Sequence, residues 1–76
     1  MALADLKLRK FAYLASKDDF LNKQRQESIA ASRTEEADAY FLEMVPNRNQ
    51  AEEFAVELRY LDFDAAKKDI LLMLAR

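Results

Sequence analysis

Few side chains in this 76-residue sequence could do chemistry, and their spacing narrows the choice further. The carboxylates come as Asp18-Asp19, Glu35-Glu36, Glu52-Glu53 and the pair Asp62 and Asp64, a donor set that suits only a hard cation such as Mg²⁺ or Ca²⁺. Neighbouring acids on a helix point in different directions, and "DFDAAKKD" has neither the glycine nor the closing bidentate Glu of an EF-hand loop. Proton transfer would fall to Tyr13, Tyr40, Tyr60, a Lys, a Ser or a carboxylate, in a pocket that so small a domain could scarcely enclose. With no His and no Cys, there is no imidazole base, no thiolate nucleophile, no disulfide and no ligand set for zinc, copper or haem. With no Gly, the phosphate-cradling loops that need close backbone approach and positive φ are excluded as well. The expectation is a protein that is not an enzyme and holds no cofactor or metal.

Basic residues offer the other chemistry. Lys7, Lys10 and Lys17 fall on one side of the first helical region with Tyr13 nearby and Arg9 partly displaced, and Lys23 and Arg25 extend the basic character. Such a stripe could touch phosphates. A formal net charge of −2 and the absence of Trp count against it, and lysines flank any exposed helix face. The only junction that could serve a helix-turn-helix is "MVPNRNQAEEF", where Glu52 and Glu53 would meet the nucleic acid. Those glutamates suit the positive N-terminus of a helix instead. Charge is divided along the chain: residues 1–33 carry seven basic and four acidic side chains, residues 34–76 five and ten. In an antiparallel dimer this polarity would serve register and encounter.

The elements that must carry these residues are helices. One Pro, no Gly and abundant Ala, Leu, Glu, Lys, Gln and Arg favour helix throughout, and no hairpin dipeptide such as Asn-Gly is present. The spacing predicts a first helix over about residues 3–15, with Leu3, Ala4, Leu8, Phe11, Leu14 and Ala15 on its core face. Ser16 with Asp19 resembles a capping box, so a second helix starts there or the first continues. Its polar run "NKQRQES", Asn22 to Ser28, should be the most solvated stretch. A further helix covers about residues 34–45, capped by Ser32 with Glu35 or by Thr34, with Ala37, Tyr40, Phe41, Met44 and Val45 as its apolar side. Pro46 and "NRN" are expected to end it. In the next helix Ala51, Phe54, Leu58 and Leu61 repeat with a/d spacing, while Val56, Tyr60 and Phe63 take the opposite side. Asp64 reads as the cap of a last helix that is apolar almost all round from Ile70.

The fold class expected is therefore all-α: one domain over residues 1–76, a small bundle of four or five short helices. Leaving Met1 aside, 25 of its 76 residues are Leu, Ile, Val, Phe, Met or Tyr. A chain of this size buries only ~60% of its surface on folding, so a surplus of apolar surface is expected to pair two chains. The reading is a protein–protein interaction module, a regulator, adaptor or assembly factor acting as a homodimer. Self-association is assigned to Phe54, Leu58, Leu61, Leu71, Leu72 and Leu74, and contact with an external partner to the polar segment and the lysine stripe. The alternative is a nucleic-acid-binding regulator using Lys7, Arg9, Lys10, Lys17, Lys23 and Arg25. The charged amino terminus reads as neither signal peptide nor membrane span, and a cytoplasmic protein is expected.

Overall fold

The computed structural model of the chain describes residues 3–75, and of Leu3 and Ala4 the backbone alone. It is all-α, with three helices: α1 (Leu3–Ala30), α2 (Thr34–Glu57) and α3 (Phe63–Leu74). Helices α1 and α2 form a long antiparallel hairpin, and α3 folds back over its open end, within overall dimensions of 44 × 24 × 22 Å. A 28-residue helix is about 42 Å long, so α1 sets the length of the molecule.

Three helices replace the four or five expected because two anticipated breaks do not occur. At Ser16 the helix runs on: Leu14, Ala15, Asp18 and Leu21 are buried on both sides of it, while Ser16 itself faces solvent. Continuing the backbone hydrogen bonds there satisfies more groups than a cap would. At Pro46 the expectation of a stop is also corrected, since α2 passes straight through. An internal proline costs ~3 kcal/mol and leaves the carbonyl four residues earlier, that of Leu42, without its donor. Both residues are exposed, so water can serve that carbonyl. Burial of Ala37 before the proline, and of Asn47, Ala51 and Ala55 after it, keeps both halves on α1. Asn47, expected in a turn, instead donates its Nδ2–H to the Leu14 carbonyl at 2.8 Å and ties the two helices at mid-length.

Both connections use the same device. The Arg33 amide reaches the Ser28 carbonyl and the Ser32 amide that of Ile29, with Ser32 at φ 61°. After α2, the Tyr60 amide reaches Ala55 and the Arg59 amide Val56, with Arg59 at φ 68°. These are Schellman C-caps, which favour glycine at the left-handed position. This chain has none, so Ser32 and Arg59 take it. Arg33 occupies the N-cap of α2 without a side-chain bond, in place of the Ser32 or Thr34 cap expected. At α3 the cap is Asp62, not Asp64: its carboxylate accepts from the Ala65 amide at 2.9 Å. Phe63, expected on the preceding helix, becomes the first residue of α3.

The core lies at the three-helix end. Phe11, Leu14 and Ala15 of α1, Ala51 and Ala55 of α2, and Phe63, Ala66 and Ile70 of α3 form it, with Leu8, Ala12, Phe54, Leu58 and Tyr60 packed around. The side chains of Leu3 and Ala4, expected on the same face, lie outside the described residues. Four alanines without solvent exposure let the helices approach closely, and Phe11 and Phe63 fill the centre with rings 5.5 Å apart at 49°. No helix among the described residues is long and apolar enough to cross a membrane.

Candidate interaction surfaces

A polar seam joins α3 to the hairpin. Arg48 of α2 is its hub: the guanidinium lies 3.9 Å over the Phe63 ring, 3.3 Å from Asp64 Oδ1 and 3.6 Å from Asp18 Oδ2. Lys67 of α3 pairs with Asp19 of α1, and Glu52 of α2 accepts from the Phe63 amide at 3.3 Å. Asp18 is 5% exposed and its Oδ1 has no hydrogen-bond partner. Burial pushes its carboxyl above the ordinary carboxylate range; Arg48 and Lys67 oppose that shift, while Asp19 and Asp64 add to it. At the edge of α3, the Tyr60 hydroxyl donates to Asp69, and that bond to the phenol raises its pKa above the usual value, with burial adding to it. These contacts clamp a helix. The acidic pairs weighed as cation ligands are divided by the fold: Asp18 is buried and Asp19 exposed, and Asp62 is occupied as a cap. Among the described residues no three potential ligands gather.

Beyond α3 the hairpin is bare on both sides. On the α3 side a cleft of about 230 Å³ opens between Asp18, Phe41, Met44, Val45, Arg48 and Asn49. Phe41 is partly covered there by the Arg25 guanidinium, 5.3 Å from its ring centre. On the other side a cleft of about 390 Å³ lies between Arg9, Lys10, Tyr13 and Leu14 of α1 and Gln50 and Phe54 of α2. Tyr13 is 67% exposed and Phe20, two turns further along the same helix face, 58%.

The residues assigned to self-association do not form one patch. Phe54 and Leu58 are half-buried against the core. Leu61 sits in the α2–α3 link and is 89% exposed. Leu71 is half-buried on α3, and Leu72 and Leu74 are exposed on different sides of it, 200° apart. The basic residues divide similarly. Lys7 pairs with Glu57 across the hairpin at 3.3 Å, and Arg25 turns to Phe41. Arg9, Lys10 and Lys17 remain around Tyr13, while Lys23 is exposed further along α1. The polar segment is only partly solvated, because Ser28 is buried and Gln24 and Arg25 are half-buried. Asn47 and Arg48, which organise the structure, were hidden by their position after Pro46. The signal that could have found Asn47 is its position four residues before Ala51 and eight before Ala55, which puts it on the face that those alanines bury.

No known protein family, curated protein or solved structure matches this chain.

Proposed function

We propose that this chain is a non-enzymatic protein–protein interaction module of the cytoplasm, a regulator, adaptor or assembly factor that works as a homodimer. The observation that carries this reading is the exposure of large apolar side chains along both sides of the hairpin beyond α3: Phe20, Ile29, Phe41, Leu42 and Val45 are each more than two-fifths exposed. Exposed apolar side chains in this number on so small a domain support a contact site. Two long helices without a third along half their length form an incomplete bundle, which a second chain can complete.

The test is the light-scattering mass across a dilution series. A mass of twice the 8.8 kDa chain that falls on dilution supports the homodimer. The 8.8 kDa mass at every concentration up to the millimolar range rules it out.

One observation favours the second reading, a nucleic-acid-binding regulator: Arg9, Lys10 and Lys17 gather around the exposed Tyr13 and Phe20, a basic surface with stacking platforms. Glu43 and Glu57 on the neighbouring helix oppose it. If it holds, affinity for single-stranded DNA falls steeply with salt, and changing Arg9, Lys10 and Lys17 to Ala flattens that slope. No binding at low salt removes it.

A further inference from the structure

We propose that the cleft between Asp18, Phe41, Met44, Val45, Arg48 and Asn49 receives the side chain of a lysine presented by a partner protein, its ammonium donating to the Asp18 carboxylate. This rests on the reading of the chain as a protein–protein interaction module and adds to it a site and the chemistry of what enters.

Asp18 is the group that calls for a ligand. It is 5% exposed and stands between the buried Leu14 and Leu21 on the inner face of α1. A carboxylate taken out of water is costly unless its oxygens are hydrogen-bonded, and groups left unpaired in a native interior are few. Here the chain supplies no such bond. Arg48 stands 3.6 Å from Oδ2, beyond hydrogen-bond length, and Oδ1 has no partner. The arginine is held elsewhere, 3.9 Å over the Phe63 ring and 3.3 Å from Asp64 Oδ1. The Asp18 side chain lines the cleft, and rotation about its Cβ–Cγ bond, a soft two-fold torsion, exchanges the two oxygens there. A donor seated in the cleft therefore satisfies the carboxylate.

Charge sets the sign of that donor. Asp18, Asp19, Glu52 and Asp64 meet in the seam against Arg48 and Lys67, and Arg25 over Phe41 adds a third cation, so negative charge remains in excess. A cation complements this set and an anion is repelled by it. The bond to Asp18 is then charge-assisted, about twice as strong as a neutral one.

The walls set the body that carries the charge. Phe41, Met44 and Val45 are apolar, with Phe41 48% and Val45 43% exposed. A lysine lays its methylenes along such walls while its ammonium reaches a polar group beyond them. At about 230 Å³ the cleft is smaller than the ~300–1,000 Å³ of pockets that enclose whole small molecules, so it suits a single side chain. The planar fork of an arginine would have to share the carboxylate with the Arg48 guanidinium, whereas a compact ammonium needs only one oxygen.

The test is an NMR titration of the wild-type chain at low salt, following backbone amides, with a blocked alanine peptide that carries one central lysine. Saturable shifts at Asp18, Phe41, Met44 and Val45 are expected, with a Kd in the millimolar range for so small a ligand. The same peptide with norleucine in place of lysine keeps the stem and lacks the charge, and should bind at least ~tenfold more weakly. Asp18→Asn should lose a similar factor while keeping the fold, which circular dichroism at 222 nm checks. Val45→Lys, at a partly exposed wall outside the core, should abolish binding by placing a cation at the cleft. No saturable shift with the wild type overturns the site and leaves the module reading standing, since the light-scattering mass tests that reading separately. Equal binding of the norleucine peptide, or full affinity in Asp18→Asn or Val45→Lys, overturns the assignment to this carboxylate and cleft. Binding of n-butylammonium without binding of the lysine peptide assigns the cleft to a free amine and overturns the partner's lysine. Shifts of the same amides on concentrating the wild-type chain alone, without peptide, assign the cleft to a second copy and overturn the external partner.

Discussion

Replacing Phe63 with Ala removes the side chain on which α3 depends. The ring is 2% exposed and, with Phe11 and Ile70, is among the largest fully buried side chains of the described residues. Truncating a buried Phe to Ala costs ~3–5 kcal/mol, part of it the aromatic pairing with Phe11. Arg48 loses the ring beneath it but keeps Asp18 and Asp64, so no charge is left unpaired. A chain of 76 residues has about 4–11 kcal/mol of total stability at 0.05–0.15 kcal/mol per residue, so the substitution removes about a quarter or more of it. Urea unfolding at fixed protein concentration, followed by ellipticity at 222 nm, should show a lower midpoint equivalent to ~3 kcal/mol or more. The slope should also be smaller if α3 already detaches in the native state. Phe63→Leu, which conserves most of the volume, should lose less than about 1.5 kcal/mol. A loss below ~1 kcal/mol for Phe63→Ala with an unchanged slope would refute the central place given to this ring.

Pro46→Ala should stabilise the protein by ~1–3 kcal/mol, because the helix already runs through this position and the new amide can serve the Leu42 carbonyl; a lower melting temperature would show that the proline holds a bend the fold needs. Ser32→Gly and Arg59→Gly should each add ~0.5–1 kcal/mol by relieving a left-handed residue of its Cβ, raising the melting temperature by several degrees. No gain at either site would contradict the cap geometry. Asp18→Asn tests the buried carboxylate. Its folded pKa is raised, so the native state binds a proton more tightly than the unfolded chain, and stability declines as pH rises from the unfolded value, 3.8, through the raised one. The variant lacks that titration, so its stability relative to wild type should be more favourable at pH 7 than at pH 3.5. The reverse order in urea midpoints would mean that the ionised pair with Arg48 is a net stabiliser.

Helix type and the core face of α1 were legible because they depend on local composition and on a 3.6-residue period. Phe11, Leu14 and Ala15 stand where that period puts them. Element boundaries were misread where a strong local signal met tertiary packing. Pro46 and the Ser16 capping box are genuine local preferences worth about 1–3 kcal/mol, and burial along the hairpin outweighs both. The cap of α3 was missed by two residues: Asp62 and Asp64 are chemically equal candidates, and the choice of Asp62 follows from Phe63 entering the core. The candidate surfaces were legible as an apolar excess and not as places. A period of 3.6 says which residues share a face, but not which of two faces a neighbouring helix covers.

The amino-acid sequence by itself determined that this chain is helical, that it lacks the side chains for thiol, imidazole and glycine-loop chemistry, and that it carries more apolar surface than its size can bury. Those are properties of residue type and local spacing, independent of what packs where. The tertiary structure alone decided that the described residues form three helices, that α3 covers only one end of one side, and that Arg48 is the hub of its clamp. It also decided that Lys10 and Lys17 line the same open face as Glu43. The physical reason is that two antiparallel helices bring into contact residues some 30 positions apart, such as Leu14 and Asn47, and no local pattern records that pairing.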